Sequence, residues 1–236
     1  MKAIWSKELK NYFYSPIGYA FIGIFMLVLG ILFLTTNISA GTADFAATMH
    51  TMSTFFVFLL PLLTMRSFAE ERRAKTDQLL LTAPVSITKT VLGKFFACMT
   101  VLAAALLVSL VYPLILAILG SPSAGEIFSS YIGFFLMGAA GTALGILISA
   151  ATQSQVVAAV ATFGVYFVLL MGSTAISLIS SSWIRSVLTA LSLFDRMGDF
   201  TTGILGISSI LYYVSFAGVC VFLTVQLIEK RRWSVA

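Results

Sequence analysis

The densest cluster of ionisable side chains is Glu70, Glu71, Arg72, Arg73, Lys75 and Asp77, six charges within eight residues. Two adjacent glutamates followed four positions on by a cation could serve hydrolysis within a membrane, but that chemistry needs downstream histidines. The single histidine, His50, lies upstream, and it reads as a solvated polar residue rather than a ligand. Serine chemistry lacks a positioned base for the same reason. The one Gly-Lys pair, Gly93-Lys94, is followed by Phe95 and has no glycine five positions before it, so the phosphate-cradling pattern G-x-x-x-x-G-K-[ST] is absent. Cys98 and Cys220 lie inside apolar runs and read as packed small hydrophobes, with no disulfide framework or zinc spacing. No catalytic, metal or cofactor constellation emerges. If ATP drives this protein, a partner subunit must hold it.

The surrounding elements explain how such a cluster is placed. Of 236 residues, 59% are hydrophobic and 10% charged, against roughly 25% charged in an ordinary soluble domain. So few charges cannot cover that much apolar surface in water, whereas a bilayer needs no polar exterior. Apolar runs of spanning length occur at about 17–36, 52–69, 90–119, 128–150, 156–179 and 207–228, and no alternating stretch suggests barrel strands. The expected fold is an all-α membrane protein of six transmembrane helices in a single domain, residues 1–236. Twelve Lys and Arg fall on one side of that arrangement, at the N-terminus, in the loop between spans two and three, and at the C-terminus. Only Arg185 and Arg196 fall on the other. The richer side is expected to be cytoplasmic, with both termini inside. The net charge of +5 follows from this bias and gives no reason to invoke nucleic acid.

Three segments are amphipathic rather than spanning. Residues 1–15 form an interfacial elbow helix with Trp5, Leu9, Tyr12 and Phe13 on one face and Lys7 and Lys10 roughly opposite, ended by Ser15-Pro16. Residues 180–206 form an outer segment before the last span, with Trp183, Ile184, Val187, Leu188 and Leu191 on one face. The third is the cytoplasmic region 70–92. Gly141 and Gly145 make a G-x-x-x-G in span four, suited to helix packing within or between subunits. Pro61 and Pro113 are expected to kink spans two and three. The runs hold no Asp, Glu, Lys or His deep inside, and Arg66 lies near the end of run two. This lowers the case for an ion-coupled carrier, which needs intramembrane ionisable groups.

The stretch EERRAKTDQLLLTAPVSITKTVLGKFF, Glu70 to Phe96, carries the functional reading. Thr76 can cap a short helix with Asp77 at its positive end; Leu79, Leu80 and Leu81 form an apolar knob; Pro84 stops it, and Ser86 can cap span three. By physics alone the knob either dips into lipid or docks in a groove on a cytosolic protein. The stretch resembles the coupling-helix region of type-2 ABC exporter permeases, roughly E-E-(basic)-(basic)-x-G-T-x-E-L-L-L-(T)-x-P-V-S followed by G-K. Glu70, Glu71, Arg72, Arg73, Thr76, Leu79, Leu80, Leu81, Pro84, Val85, Ser86, Gly93 and Lys94 match it. Lys75 stands where the pattern has Gly, and Gln78 where it has Glu. The opening KAIWSKELKNYFYSPIGY is similar to that family's elbow helix, and ISAATQSQVVAA to its connection between spans four and five. LSLFDRMGDFTTGI resembles the segment before span six in the gliding-motility-type branch, matching at Phe194, Phe200 and Gly203.

The resemblance implies the transmembrane subunit of an ABC exporter in the bacterial cytoplasmic membrane, not catalytic by itself. ATP and Mg would be bound by a cytosolic ABC ATP-binding subunit docked on Glu70, Glu71, Arg72, Arg73, Thr76, Gln78, Leu79, Leu80, Leu81, Pro84 and Val85. A second permease copy or a related chain would complete the pathway, within membrane lipid, and the gliding-type branch adds an extracytoplasmic auxiliary protein as a candidate partner. Phe194, Phe200 and Gly203 are then candidates for an outer gate or partner contact. Two readings from other classes compete: a self-contained channel or carrier not driven by ATP, and a membrane anchor or regulator of an ATPase.

Overall fold

The computed structural model describes residues 1–75, 86–175 and 192–235. Among these the chain is helical, and six helices are long and apolar enough to cross a membrane: Pro16–Ile38, Phe45–Arg73, Ile87–Leu119, Ala124–Ala151, Gln155–Gly172 and Ile207–Arg231. Helix is what a bilayer demands, because the backbone's polar groups must be satisfied within the segment. The expected six-span, all-α architecture is therefore what the chain adopts.

Helix α1 (Lys2–Tyr14) is the elbow. Ser15 turns to extended backbone, ψ 154°, as the residue before Pro16 must, and Pro16 then opens α2 (Pro16–Phe33) at a position where its missing N–H costs nothing. Phe21, Phe25, Leu29 and Phe33 recur every four residues and are all buried, while Ile24, Leu27 and Ile31 face outward. The last turn widens into a π-helical stretch, Leu34–Ile38, which turns Asn37 inward.

Helix α3 (Phe45–Thr64) begins seven residues before the apolar run does, because Asp44 caps it, accepting from Ala47 N–H at 2.9 Å. His50 accordingly sits on the exposed side of its second turn. The helix continues through Pro61. A short helix, α4 (Ala69–Arg73), follows. Span three is divided into α5 (Ile87–Ser109) and α6 (Val111–Leu119) at Leu110. Pro113 accounts for the division, since it has no N–H to return to the Ser109 carbonyl four residues back.

Span four is α7 (Ala124–Ala151), span five lies in α8 (Gln155–Ala175), and α9 (Met197–Thr201) precedes α10 (Ile207–Val235), which carries span six. α3 and α7 form the centre of the bundle, each 61% buried over its apolar stretch, whereas α8 is 17% buried and α10 28%. The glycines of α7 make the tight centre possible. A Cβ on Gly141 would stand 2.6 Å from both Leu60 and the Tyr166 hydroxyl, and one on Gly145 would overlap Thr64. Gly141 and Gly145 thus pack closely within the chain, against α3 and α8.

Candidate functional site

The site is built where α3 gives way to α4. The turn through Met65 to Phe68 leaves two backbone N–H groups without helical partners, and Ser149 of α7 takes both: its Oγ accepts from Phe68 at 3.1 Å and Ala69 at 3.2 Å, and donates to Met65 O at 3.0 Å. α4 then places Glu70 and Glu71 in its first turn and Arg72 and Arg73 in its last, the order that suits a helix dipole. Arg66 pairs with Glu70 at 3.2 Å on the surface, a contact of little energetic weight. α4 ends at Lys75, whose φ of 57° is the left-handed conformation that glycine adopts most cheaply. This is the position where the permease pattern has Gly.

Glu71 points back into the bundle and meets Lys94 of α5, with Nζ 2.9 Å from Oε1. The same ammonium stands 3.1 Å from Glu8 Oε1 on the elbow and 5.0 Å above the Phe68 ring. Lys94 is 2% exposed. Such an ion is tolerated only when its partners hold it, because desolvation otherwise costs several kcal/mol. Lys7 lies farther from Glu71, at 3.9 Å, and is well exposed. Beside Lys94, Gly93 lets the elbow seat itself: a Cβ there would approach Ile4 to 2.8 Å. Trp5 Nε1 donates to Thr100 at 3.0 Å, and the Tyr12 hydroxyl donates to Leu63 O at 2.6 Å with Cys98 Sγ 3.1 Å away. Burial, and then the neighbouring Cys98, hold the Tyr12 phenol well above its ordinary pKa of 10, so it remains a neutral donor. The elbow is thus fastened at Trp5, Glu8 and Tyr12, and a cleft of about 880 Å³ opens between it and α4.

On its other flank α4 grips span four. Arg72 Nη1 donates to Thr152 O at 2.7 Å and Ala150 O at 3.3 Å. Arg231, near the end of α10, donates to Ala150 O at 2.8 Å and Ala151 O at 3.4 Å. Two guanidinium groups therefore satisfy the orphan carbonyls at the C-terminus of α7, the end where positive charge is favoured.

The charged joint thus lies at one end of a six-span membrane bundle. Residues 3–225 match the family model described as ABC-2 family transporter protein. The chain belongs to that family. A search of the curated proteins finds no match. As an ABC-2 permease the chain is the membrane component of an ABC transporter, and membership implies an ATP-binding ABC partner in general.

Against the sequence-derived site of this permease, the structure brings Glu71 and Arg72 into one joint and leaves Glu70 and Arg73 on its exposed side. Thr76, Gln78, Leu79, Leu80, Leu81, Pro84 and Val85 lie outside the described residues, as do Trp183, Ile184, Val187, Leu188 and Leu191. Phe194 and Phe200 are buried: a Cβ on Gly133 of α7 would overlap the Phe200 ring, which also packs 6.2 Å from Tyr213. Gly203 has φ 81° and turns the chain from α9 toward α10.

Two buried charges add to the sequence reading. Lys94, counted with the loop by charge, lies in the second turn of α5, near the head of the third run, and is buried. It survives there because Glu8 and Glu71 reach it from two other elements. The inward face of the elbow likewise includes Glu8, 8% exposed, between Trp5 and Tyr12. The spacing of Trp5, Glu8 and Tyr12 was a legible signal, because a glutamate three and four residues from rings that face the core faces it too.

Proposed function

We propose that this permease works as half of an ATP-driven exporter, with the region 70–92 receiving a cytosolic ATP-binding subunit that holds ATP and Mg. The elbow, α4 and both termini then face the cytoplasm, in keeping with the twelve cations gathered at that end. Leu79, Leu80 and Leu81 bury against the ATPase, with Thr76, Gln78, Pro84 and Val85 shaping the knob and Glu70 and Arg73 at its edge. A second copy, or a related permease, completes the pathway.

The observation that carries this reading is the double attachment of α4. It leads directly into residue 76, and it is tied through Glu71 and Lys94 to the elbow and span three, and through Arg72 and Ser149 to the end of span four. A push on the docking knob therefore moves three elements together. Coupling of this kind requires different contacts in the two states, and an ionic joint with several partners supplies them. At the far end, Phe194 and Phe200 serve as an outer gate; their burial favours that role over a partner contact, and Gly203 provides its turn.

Co-purification with the candidate ATP-binding subunit in detergent tests the docking. The wild type retains the ATPase, and Leu80→Glu weakens retention by about tenfold or more, as loss of a central apolar anchor does, while remaining folded. Equal retention by both forms, or by neither, removes the coupling-helix reading.

A further inference from the structure

The cleft between the elbow and α4 holds side chains that the ionic joint does not use. Its walls carry three cations, Lys7, Arg66 and Lys94, and three carboxylates, Glu8, Glu70 and Glu71. Lys94, Glu8 and Glu71 engage one another, with Lys94 Nζ 3.1 Å from Glu8 and 2.9 Å from Glu71. Lys7 differs. The Glu71 carboxylate stands 3.9 Å from its ammonium, beyond hydrogen-bond reach, and the Lys7 side chain is well exposed. Asn11 follows one turn later on the same face of α1 and also lines the cleft. Among the described residues its side-chain amide makes no hydrogen bond, and the residue is exposed. On the α4 side Glu70 is half-exposed, with Arg66 Nε 3.2 Å from its Oε2. One wall therefore offers uncommitted N–H donors and the other an accessible carboxylate. The space between them, about 880 Å³, falls within the roughly 300–1,000 Å³ of small-molecule sites.

We propose that this cleft binds the headgroup of a zwitterionic aminophospholipid from the leaflet adjoining the elbow, with the phosphate on Lys7 and Asn11 and the ammonium on Glu70. A lysine ammonium and a carboxamide together supply several N–H donors to phosphate oxygens, and Glu70 keeps acceptor capacity beside Arg66. Three cations against three carboxylates leave the cleft without formal charge, so a purely anionic ligand has no net field to draw it in. A ligand carrying both signs meets both walls. The bilayer side of the cleft selects a lipid over a free zwitterion. Tyr14, Ser15 and Ile17 line it where the chain enters span one. From Ile17 an exposed stripe runs along α2 through Ala20, Ile24, Leu27 and Ile31, at helical spacing and toward the bilayer centre. Acyl chains hanging from a headgroup in the cleft lie along that stripe, and the amphipathic elbow is the kind of helix that rests among headgroups.

Native mass spectrometry of the delipidated full chain in detergent tests this, with dioleoyl phosphatidylethanolamine, dioleoyl phosphatidylglycerol, dioleoylglycerol and glycerophosphoethanolamine as probes. The wild type should retain phosphatidylethanolamine, with Lys7→Gln about tenfold weaker and Asn11→Ala about threefold weaker. Glu70→Gln should weaken phosphatidylethanolamine about threefold and leave phosphatidylglycerol unchanged, because only the former has an ammonium to lose. Lys10→Gln, on the same helix but outside the cleft, should behave as wild type. Equal retention of phosphatidylethanolamine by wild type and Lys7→Gln overturns the proposal. So does an equal loss in Lys10→Gln, which means general attraction to a basic surface. Dioleoylglycerol held as firmly as phosphatidylethanolamine means acyl contact alone and overturns it too. Phosphatidylglycerol held as firmly, with no effect of Glu70→Gln on either lipid, overturns the zwitterionic assignment. Binding of glycerophosphoethanolamine that matches the lipid and is lost in Lys7→Gln overturns the lipid assignment in favour of a soluble ligand. No probe retained by any form overturns the site. If Lys7→Gln does not fold, Asn11→Ala decides, and retention equal to wild type overturns the proposal. The measurement needs no ATP-binding subunit, so it stands or falls separately from docking at 70–92.

Discussion

The two ends of this bundle solve the same problem with different chemistry. At the elbow end a buried ammonium bridges two carboxylates from separate elements, Lys94 with Glu8 and Glu71. At the opposite end one buried polar centre, around Asn37, is neutral. Asn37 Nδ2 donates to Thr42 O at 3.1 Å and Asp44 O at 3.0 Å, while its Oδ1 accepts from Thr48 at 2.5 Å and Thr36 at 3.3 Å. All of Asn37's partners lie within twelve residues of it in sequence, whereas Lys94 reaches back 86 residues to Glu8. The amide network therefore shapes one loop, and the ionic network binds distant elements into a unit. Ionic joints also depend steeply on every member being present, because an ion left alone in a low-dielectric interior is far costlier than an amide that loses one bond. A joint with the coupling role proposed above would gain from that steepness, and a loop closure does not need it.

The largest effect expected from breaking this contrast is at Lys94. Lys94→Met keeps the length and apolar stem but leaves Glu8 and Glu71 facing one another without their shared cation. Removal of one member of a buried ion network costs about 3–5 kcal/mol, so thermal unfolding in detergent should drop markedly and the elbow should become accessible to protease. Restoring stability with Glu8→Gln and Glu71→Gln in the Lys94→Met background would establish that the cost is electrostatic. A Lys94→Met chain that unfolds like the wild type removes the ionic joint from the account.

At the neutral end the expected loss is smaller. Asn37→Ala deletes an amide that meets four polar groups and leaves two carbonyls short of a donor, which places the cost at about 1–3 kcal/mol. The effect should remain local, seen as faster hydrogen exchange across 38–44 with exchange around α4 unchanged. Spread of the disturbance to α4 would contradict the division of the bundle into a local and a long-range network.

The six spans were legible because bilayer length and composition leave few alternatives, and the elbow because Ser15-Pro16 and the ring spacing mark it. The boundaries that shifted each turned on one residue, and of these the kink at Pro113 was expected. Asp44 extended α3 outward by capping it, and Pro113 divided span three three residues ahead of itself. The ionic joint was harder to read. A lysine at the head of an apolar run looks like a cytoplasmic flank, and only tertiary contact reveals whether carboxylates from the elbow and α4 arrive to bury it. The Gly93-Lys94 pair did carry the information: no Cβ at 93 so that the elbow approaches, and a cation at 94 to hold it there. Arg196 was counted for its sign alone; its guanidinium stacks 4.2 Å above the Tyr212 ring, which depends on how α9 folds back onto α10.

The smallest effect sharpens the comparison at the C-terminus of α4, where the ionic unit ends. Lys75 closes α4 with φ 57°, and its N–H donates to Arg72 O at 3.1 Å. A side chain in the left-handed region crowds its own carbonyl, a cost that glycine escapes. Glycine is also freer in the unfolded chain, which returns part of the gain. The net expectation for Lys75→Gly is a stabilisation of about 0.5–1 kcal/mol, read as a small rise in melting temperature. The side chain is exposed, so no packing is lost. In the Lys94→Met background the gain should persist undiminished, because helix termination at 75 and the ion network at 94 are separate terms that add. A gain that vanishes in that background would mean that the end of α4 is set by the joint behind it, and so belongs to the long-range network.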